Sequence, residues 1–148
     1  MNDTFQIIRA ALCDVDSIAE IEQNCFKSEA WSAANIQSAF DSRNIWYIAK
    51  IGNETVGYIN FSHVFDESEL NRVAVLKAFR NNGIAFSLIE YGIRELKSLG
   101  INTVFLEVRN SNITAQNLYD KVGFKVYLTR KEYYCAPIED ALLMQMKI

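Results

Sequence analysis

The sequence predicts a single domain of the mixed α/β (α+β) class, with a mixed central sheet of six to seven strands and helices on both faces. Three observations favour this fold class. The 148 residues fit one domain, half of them are apolar, and strand-like apolar runs alternate with segments of helical apolar spacing along the chain. We therefore expect one domain over residues 1–148, without a linker or an internal repeat.

The first third of the chain predicts a strand and two helices. The segment "FQIIRA" (5–10) is a short apolar run typical of a strand. Asp14 is of a residue type that favours a helix N-cap, and the apolar residues that follow at helical spacing are Ile18, Ile21 and Cys25. A second, short helix is expected from Ser32, because Trp31 and Ile36 have the spacing of a hydrophobic staple.

Residues 44–65 predict a β-hairpin, because two strand-like runs are joined through Gly52 and Asn53, a turn pair that tolerates positive φ. The segment "FDESEL" (65–70) then carries three acids before the next strand, "LNRVAVL" (70–76). Its plain interpretation is a solvated hairpin turn. Its functional interpretation is attraction of a cationic substrate to the mouth of a site.

The second half of the chain alternates helices and strands. A helix is expected from about Gly83 to Leu99, and Gly100 can end it in the left-handed conformation. The segment "INTVFLEV" (101–108) is a near-continuous apolar run, as in a central strand covered on both faces. The remaining elements are a helix "NITAQNLYDKV" (112–122) that Gly123 stops and the closing strands "FKVYLTRKEYY" (124–134) and "DALLMQMKI" (140–148).

The composition argues against several function classes. The net charge is −3 and the basic residues are scattered, so we expect no binding to nucleic acid. No apolar run is long enough to span a membrane, which predicts a soluble, cytoplasmic protein without a membrane partner. The single histidine, His63, and three cysteines without CxxC spacing predict that no metal is bound.

The segment "RNNGIA" (80–85) stands between a strand and the long helix and is a candidate phosphate-binding loop. The first N–H groups of a helix lack internal partners and carry the positive end of the helix dipole, so they stabilise an anion such as pyrophosphate. Gly83 would allow close approach of the ligand to the backbone, and Arg80 could add a charge-assisted contact. Taken alone, the same loop could equally be a plain turn that caps the helix.

Three segments resemble the core of the GNAT acetyltransferase superfamily. They are this loop after "NRVAV", the strand "LEVRNSN" (106–112) and the helix end "NLYDKVGF" (117–124). The longer stretch from 106 to 124, "RKEYY" and "EDALLM" resemble more closely its RimI-like branch, the ribosomal-protein-alanine N-acetyltransferases, and "AWS" (30–32) matches that branch too. The resemblance covers essentially the whole chain. It implies transfer of acetyl from acetyl-CoA to the N-terminal alanine of a small-subunit ribosomal protein.

The resemblance also implies where acetyl-CoA would bind. In the family, two adjacent parallel strands splay to admit the pantetheine arm, which pairs with the free N–H and C=O groups of one strand. The matching residues are Val73, Ala74 and Val75 of the strand, Asn81, Asn82, Gly83, Ile84, Ala85 and Phe86 of the loop, with Arg80 beside them, and Asn112.

Four residues depart from the pattern of the family. Lys77 replaces a proline after the strand, Ala85 replaces the second glycine of the loop, and Ala30 replaces the proline before Trp31. Phe86 stands where the RimI-like branch often has arginine, which predicts the loss of one phosphate contact and weaker cofactor affinity.

One acid, Glu107, stands near the end of an otherwise apolar strand, twelve residues before Tyr119. An amine attacks a thioester only when it is deprotonated, and an N-terminal amine has a pKa of about 8. The resemblance implies that Glu107 is the proton acceptor and Tyr119 the proton donor, and we expect both at the carboxyl end of the sheet. Periodicity alone would favour purely structural roles, in which Glu107 forms an ion pair with Arg109 and Tyr119 packs in the core.

Trp31, Tyr133 and Tyr134 are candidate walls of the acceptor groove, although Trp31 could only staple its helix and the tyrosines could only pack a strand. Two further functions remain open. One is acetylation of a small-molecule amine attracted by the acidic segment 65–70. The other is a CoA-binding module without catalysis. The sequence is equally compatible with a monomer and a homodimer.

Overall fold

The computed structural model describes residues 4–148, which form one seven-stranded sheet and four α-helices. The strands are β1 (Gln6–Arg9), β2 (Asn44–Ile51), β3 (Glu54–Val64), β4 (Glu67–Val75), β5 (Thr103–Arg109), β6 (Lys125–Cys135) and β7 (Ile138–Lys147). The helices are α1 (Val15–Phe26), α2 (Ala33–Ser38), α3 (Ile84–Ser98) and α4 (Ile113–Val122). Short 3-10 turns at Leu12–Asp14, Lys27–Glu29 and Lys77–Phe79 join some of these elements.

The strands lie in the order β1-β2-β3-β4-β5-β7-β6. Neighbours are antiparallel except β4 and β5, which run parallel because α3 connects them as a crossover. The mixed sheet of six to seven strands that the sequence predicts is therefore confirmed.

The parallel pair β4 and β5 separates early. Within the described chain the two strands share only three registered pairs, Glu67 with Thr103, Ser68 with Val104 and Glu69 with Phe105. Beyond Glu69, β4 continues to Val75 and β5 to Arg109 without a registered pair between them. The sheet is thus open between its two central strands at their carboxyl ends.

Helices cover both faces of the sheet, as the sequence predicts. On one face α1 and α2 pack on a core that includes Trp46, Ile48 and Tyr58. On the other face α3 and α4 cover a larger core that includes alternate residues of the same strands, such as Ile45 and Ile59. In residues 4–148 no helix combines the length and apolar character needed to cross a membrane.

Several local predictions are confirmed. Ser32 caps α2 by accepting a hydrogen bond from the Asn35 N–H at 3.1 Å, and Gly52 and Gly100 adopt positive φ of 59° and 88°. Two details differ. Asp14 lies at the N-cap position of α1, but its carboxylate accepts a hydrogen bond from the Ala11 N–H before the helix. The acidic segment is mostly strand, because β4 already begins at Glu67 and only residues 65–66 form the turn.

The contact between α3 and β3 predicts a strong effect of Gly92→Ala. A Cβ at Gly92 would stand 2.2 Å from Cε2 of Phe61, whose side chain is fully buried. Alanine is the better helix former by roughly 1 kcal/mol, but overpacking costs about 1–3 kcal/mol, and a clash with a fully buried ring belongs at the upper end. The free energy of unfolding should therefore fall by about 1–2 kcal/mol net. Urea unfolding would measure it. The double variant Gly92→Ala/Phe61→Leu should recover part of the loss, and an unchanged midpoint for Gly92→Ala would contradict the packing argument.

Candidate active site

The free edge of β4 borders the gap between the central strands. The Leu76 N–H donates to the Val56 carbonyl of β3 at 2.9 Å, so alternation along the strand directs the N–H and C=O groups of Val75 and Val73 toward β5. Ala74, by the same alternation, directs its backbone groups to β3. Of the three predicted cofactor contacts on this strand, Val73 and Val75 therefore present backbone groups to the gap and Ala74 does not.

Arg80 takes a position that the sequence did not suggest. Its Nε donates to the Val75 carbonyl at 2.9 Å, and its Nη2 lies 3.6 Å from the sulfur of Cys25 in α1. The Cys25 thiol also contacts the Val75 carbonyl, at 3.7 Å. In this structure the guanidinium is thus turned to the end of β4, and a ligand that pairs with the Val75 carbonyl would have to displace it.

The start of α3 is an uncapped helix N-terminus. Gly83 is its N-cap residue, in the left-handed conformation with φ of 78°, and no side chain of the described residues caps the helix there. Asn81 also has positive φ, 66°, and the Asn82 side chain donates to the carbonyls of Phe79 and Arg80. Because the first amides of α3 lack a side-chain partner and point outward, this end of the helix can accept an anion.

The remaining predicted cofactor residues divide between core and surface. Ile84 is buried in the core under α3, Ala85 is half-buried, and Asn112 caps α4 by accepting from the Ala115 N–H at 3.2 Å. Phe86 lies near α4, where Nζ of Lys121 stands 4.9 Å from the centroid of its ring. A cation of another helix is therefore close to the first turn of α3, where this chain has Phe86 at the position at which the RimI-like branch often has arginine.

Tyr119 is buried on the α3–α4 side of the sheet. Its ring packs edge-on against Phe124, with centroids 6.0 Å apart, and burial raises the pKa of its phenol to about 12. No protein hydrogen bond to its hydroxyl is found among the described residues. The group is thus a neutral phenol at physiological pH with an uncommitted proton.

Glu107 projects from the opposite face of β5, since its neighbours Leu106 and Val108 belong to the core under α3 and α4. It lines a cavity of about 310 Å³ together with Glu69 of β4, at the point where the two strands separate. Loss of solvent and, second, the negative charge of Glu107 raise the pKa of Glu69. Within residues 4–148 neither carboxylate has an ion-pair partner.

Arg109, which periodicity alone would pair with Glu107, is engaged elsewhere. It forms ion pairs with Glu139 at 3.3 Å and Glu29 at 3.7 Å, and its guanidinium lies 4.1 Å from the ring centroid of Tyr134. Loss of solvent raises the pKa of Tyr134, and Glu107 adds to the shift. Tyr134 and Arg109 therefore lie near Glu107.

Of the two tyrosines proposed as walls, Tyr134 is half-buried beside the Arg109 guanidinium, whereas Tyr133 is exposed, packs edge-on against Tyr134 and lies under Arg130. Of the two, Tyr134 therefore lies nearer to Glu107, and Tyr133 is the more exposed.

Trp31, the third residue predicted as a groove wall, is held by a residue that the sequence did not reveal. The Trp31 N–H donates to Oε1 of Glu22 at 2.7 Å, and Glu22, fully buried in α1, also accepts from Arg72 and from the hydroxyl of Tyr58. Burial raises the pKa of this carboxyl despite these partners. The available signal was the position of Glu22 on the apolar face of α1, next to Ile21.

A larger cavity, of about 430 Å³, lies between α2 and the sheet and is lined by Trp31, Trp46 and three asparagines. It does not include Glu107, which lines the smaller cavity at the strand gap. Among the described residues, no group of three or more His, Cys, Asp or Glu could hold a metal ion.

Known proteins that are similar to this chain belong to one enzyme family. The sequence model of the acetyltransferase (GNAT) family matches residues 15–124. The chain is 33% identical to the ribosomal protein bS18-alanine N-acetyltransferase of Haemophilus influenzae, over 89% of this chain and 91% of that protein. It is 31% identical to an N-alpha-acetyltransferase of Sulfurisphaera tokodaii, over 95% and 91%. The crystal structure of the ribosomal-protein-S18-alanine N-acetyltransferase from Escherichia coli superposes with a TM-score of 0.91 at 28% identity, over 98% of this chain and 94% of that one.

The raised pKa of Tyr119 predicts a specific loss of stability at high pH. Because the phenol is neutral in the folded state up to about pH 12 and ionises near pH 10 when unfolded, the stability it contributes is complete below pH 10 and is lost as the pH rises to 12. Between pH 9 and pH 11 the free energy of unfolding of the wild type should fall by about 1.3 kcal/mol more than that of Tyr119→Phe. Chemical unfolding at both pH values measures it, and Tyr133→Phe, at an exposed position, should follow the wild type.

Proposed function

The chain belongs to the acetyltransferase (GNAT) family as an acetyl-CoA-dependent N-acetyltransferase, and from that premise we propose that its acceptor is the N-terminal α-amino group of a protein. The specific acceptor we propose is the alanine that begins a small-subunit ribosomal protein. The identity of 33% over nearly the full length of an enzyme named for that substrate carries this proposal. A ribosomal acceptor would place the reaction in the cytoplasm.

The strand gap and the start of α3 fit acetyl-CoA, which supplies the acetyl group as a thioester. The N–H and C=O groups of Val73 and the N–H of Val75 can pair with the amides of the pantetheine arm, much as a peptide adds to the edge of a sheet. The Val75 carbonyl can join them once the Arg80 guanidinium has moved away. The uncapped N-terminus of α3, entered through Gly83, can hold the pyrophosphate. The N–H of Val75 also points to the gap and can donate a hydrogen bond to a developing oxyanion.

Glu107 is the group we propose as proton acceptor. The acceptor amine has a pKa of about 8, so at neutral pH it arrives mostly as an ammonium ion and must lose a proton before it attacks. Glu107 suits this role because it faces the cavity at the strand gap and no ion pair within residues 4–148 neutralises it. It can take the proton directly or through one water molecule.

Tyr119 is the group we propose as proton donor to the departing thiolate. Its buried phenol retains its proton up to about pH 12 and has no protein partner among the described residues that would compete for it. Glu107 and Tyr119 stand on opposite faces of the sheet, and the gap between β4 and β5 is where both could act on one ligand. Opposite placement lets Glu107 take the proton of the attacking amine on one side of the acetyl carbon while Tyr119 gives a proton to the departing sulfur on the other side.

The acceptor groove would run between Trp31 on one side and Tyr134 on the other, with Tyr133 at its outer rim. Both walls are rigid: a buried carboxylate holds the backbone of Trp31, and the Arg109 guanidinium stacks on Tyr134. Rigid aromatic walls restrict the acceptor to an extended chain that enters by one end, as a protein N-terminus does.

The acceptor assignment predicts the product of a competition reaction. The protein is incubated with acetyl-CoA, a peptide that begins with alanine, spermidine, and a lysine-containing peptide whose N-terminus is blocked. Mass spectrometry should find acetyl on the α-amino group of the alanine peptide alone. A second peptide that begins with proline is a matched control, because its secondary amine should react much more slowly. Acetylation of spermidine or of the lysine side chain would refute the acceptor assignment.

Variants of the two proposed proton-transfer residues should depend differently on pH. Glu107→Gln should lower kcat/KM roughly 100-fold at pH 7, relative to wild type, and regain up to about tenfold toward pH 9, because free amine then forms without a base. Tyr119→Phe should lose activity at both pH values, since the thiolate leaves without a proton donor. Initial rates from thiol release would show this. A constant ratio of Glu107→Gln to wild type across this pH range would remove Glu107 as the base.

A further inference from the structure

Arg72 lies in β4 just beyond the point where β4 separates from β5, and its side chain contacts α1. Its Nη1 donates to Oε1 of Glu22 at 2.6 Å, and it faces Asn60 across the β3–β4 pair. The side chain therefore lies on the same face of the sheet as Glu107 and next to Trp31, which Glu22 also holds. Arg72 thus belongs to the Trp31 side of the acceptor groove.

Two aromatic rings fix the plane of the Arg72 guanidinium. Its central carbon lies 4.0 Å from the ring centroid of Phe26 and 4.2 Å from that of Trp31. A planar guanidinium that packs against aromatic rings directs its N–H donors outward from its edges. One edge faces Glu22, so the other donors are confined to a defined direction.

The ion pair with Glu22 uses only part of the hydrogen-bonding capacity of Arg72. A guanidinium carries five N–H donors, and within residues 4–148 only Nη1 has a hydrogen-bond partner. Glu22 is completely buried and satisfied by three donors, whereas the Arg72 side chain keeps 20% of its surface exposed. Donors on Nε and Nη2 are therefore available to a ligand that lies against Trp31.

We propose that Arg72 is a specificity-determining residue that donates a hydrogen bond to the carbonyl oxygen of the first residue of the acceptor. This inference rests on the proposed function, because it concerns an acceptor bound beside Glu107. A peptide N-terminus carries a carbonyl two bonds from its amine, whereas a polyamine or simple alkylamine carries none. Arg72 therefore selects α-amino groups of peptides over other amines.

The selection depends on whether the N–H donors of Arg72 have a hydrogen-bond partner when an acceptor fills the groove. An acceptor with the carbonyl replaces solvent at the guanidinium with a charge-assisted hydrogen bond. An acceptor of the same shape without the carbonyl covers the donors and leaves them unpaired, which is strongly unfavourable in a desolvated site. Discrimination then arises without any contact to the side chain of the acceptor.

The test compares two acceptors of equal length with wild-type protein and variants. One is the alanine peptide, and the other is its analogue in which an E-alkene replaces the first peptide bond, so that the amine and shape remain and the carbonyl is removed. In Arg72→Met the value of kcat/KM for the peptide should fall at least about tenfold more than the value for the alkene analogue. The effect should lie mainly in the KM of the peptide.

Glu22→Gln is the matched control, because it perturbs the same ion pair and the position of Trp31 but retains the donors of Arg72. It should change the values for both acceptors by similar factors. If Arg72→Met also changes both acceptors by similar factors, Arg72 acts only through the packing of Trp31, and the proposal is overturned. If Arg72→Met does not fold, because it leaves the buried Glu22 carboxylate without its partner, the double variant Arg72→Met/Glu22→Gln gives the same comparison against Glu22→Gln.

Measurements on the wild-type protein distinguish a wrong acceptor assignment from a wrong role for Arg72. If it acetylates neither the peptide nor its analogue but does acetylate a polyamine, the proposed acceptor is wrong, and this inference is overturned with it. If it acetylates the peptide and Arg72→Met keeps the wild-type preference for the peptide over the alkene analogue, the proposed function stands and only the role of Arg72 is overturned.

Discussion

The early separation of β4 from β5 is the constraint on which the site depends. After Glu69 and Phe105 the two strands share no registered pair, so the backbone of Val73 and Val75 faces an opening at the centre of the sheet. A central strand with an unpaired edge is unusual, because buried N–H and C=O groups require partners. Here the opening lets ligand amides serve as the partners and connects the two faces of the sheet. Glu107 on one face and Tyr119 on the other can therefore belong to one site.

Two glutamates on the same face of the sheet show how surroundings assign different roles to one side chain. Glu22 is fully buried, and donors from Trp31, Arg72 and Tyr58 satisfy its oxygens. Its effect is to hold the backbone of Trp31 in place, since removal of one partner would leave a buried charge uncompensated. Glu107 lacks such partners and faces a cavity with Glu69, so its charge is available to a cationic acceptor. The contrast follows from which donors the tertiary structure brings to each carboxylate.

The sequence predicted much of the fold and part of the site. Periodicity and capping residues located the helices, and the apolar run at 101–108 located the central strand. The predicted start of β4 was wrong because Glu67 and Glu69 are of a residue type common in turns. Side chains alternate along a strand, so both acids can face the cavity on one side of the sheet while the residues between them face the other side. The roles of Glu107 and Tyr119 stay predictions. Glu22 and Arg72 escaped prediction, because their importance lies in a contact between residues fifty positions apart.

What the sequence determined by itself is local: the alternation of strands and helices, the left-handed glycine at the entrance of α3, and the family to which the chain belongs. These features depend on propensity, spacing and short motifs, which neighbouring residues carry. The tertiary structure alone decided where β4 leaves β5, that Arg109 pairs with Glu29 and Glu139 instead of Glu107, and that the Arg72 guanidinium lies between Phe26 and Trp31. Each of these depends on the packing of distant elements, because electrostatic partners and burial are properties of space and not of sequence order.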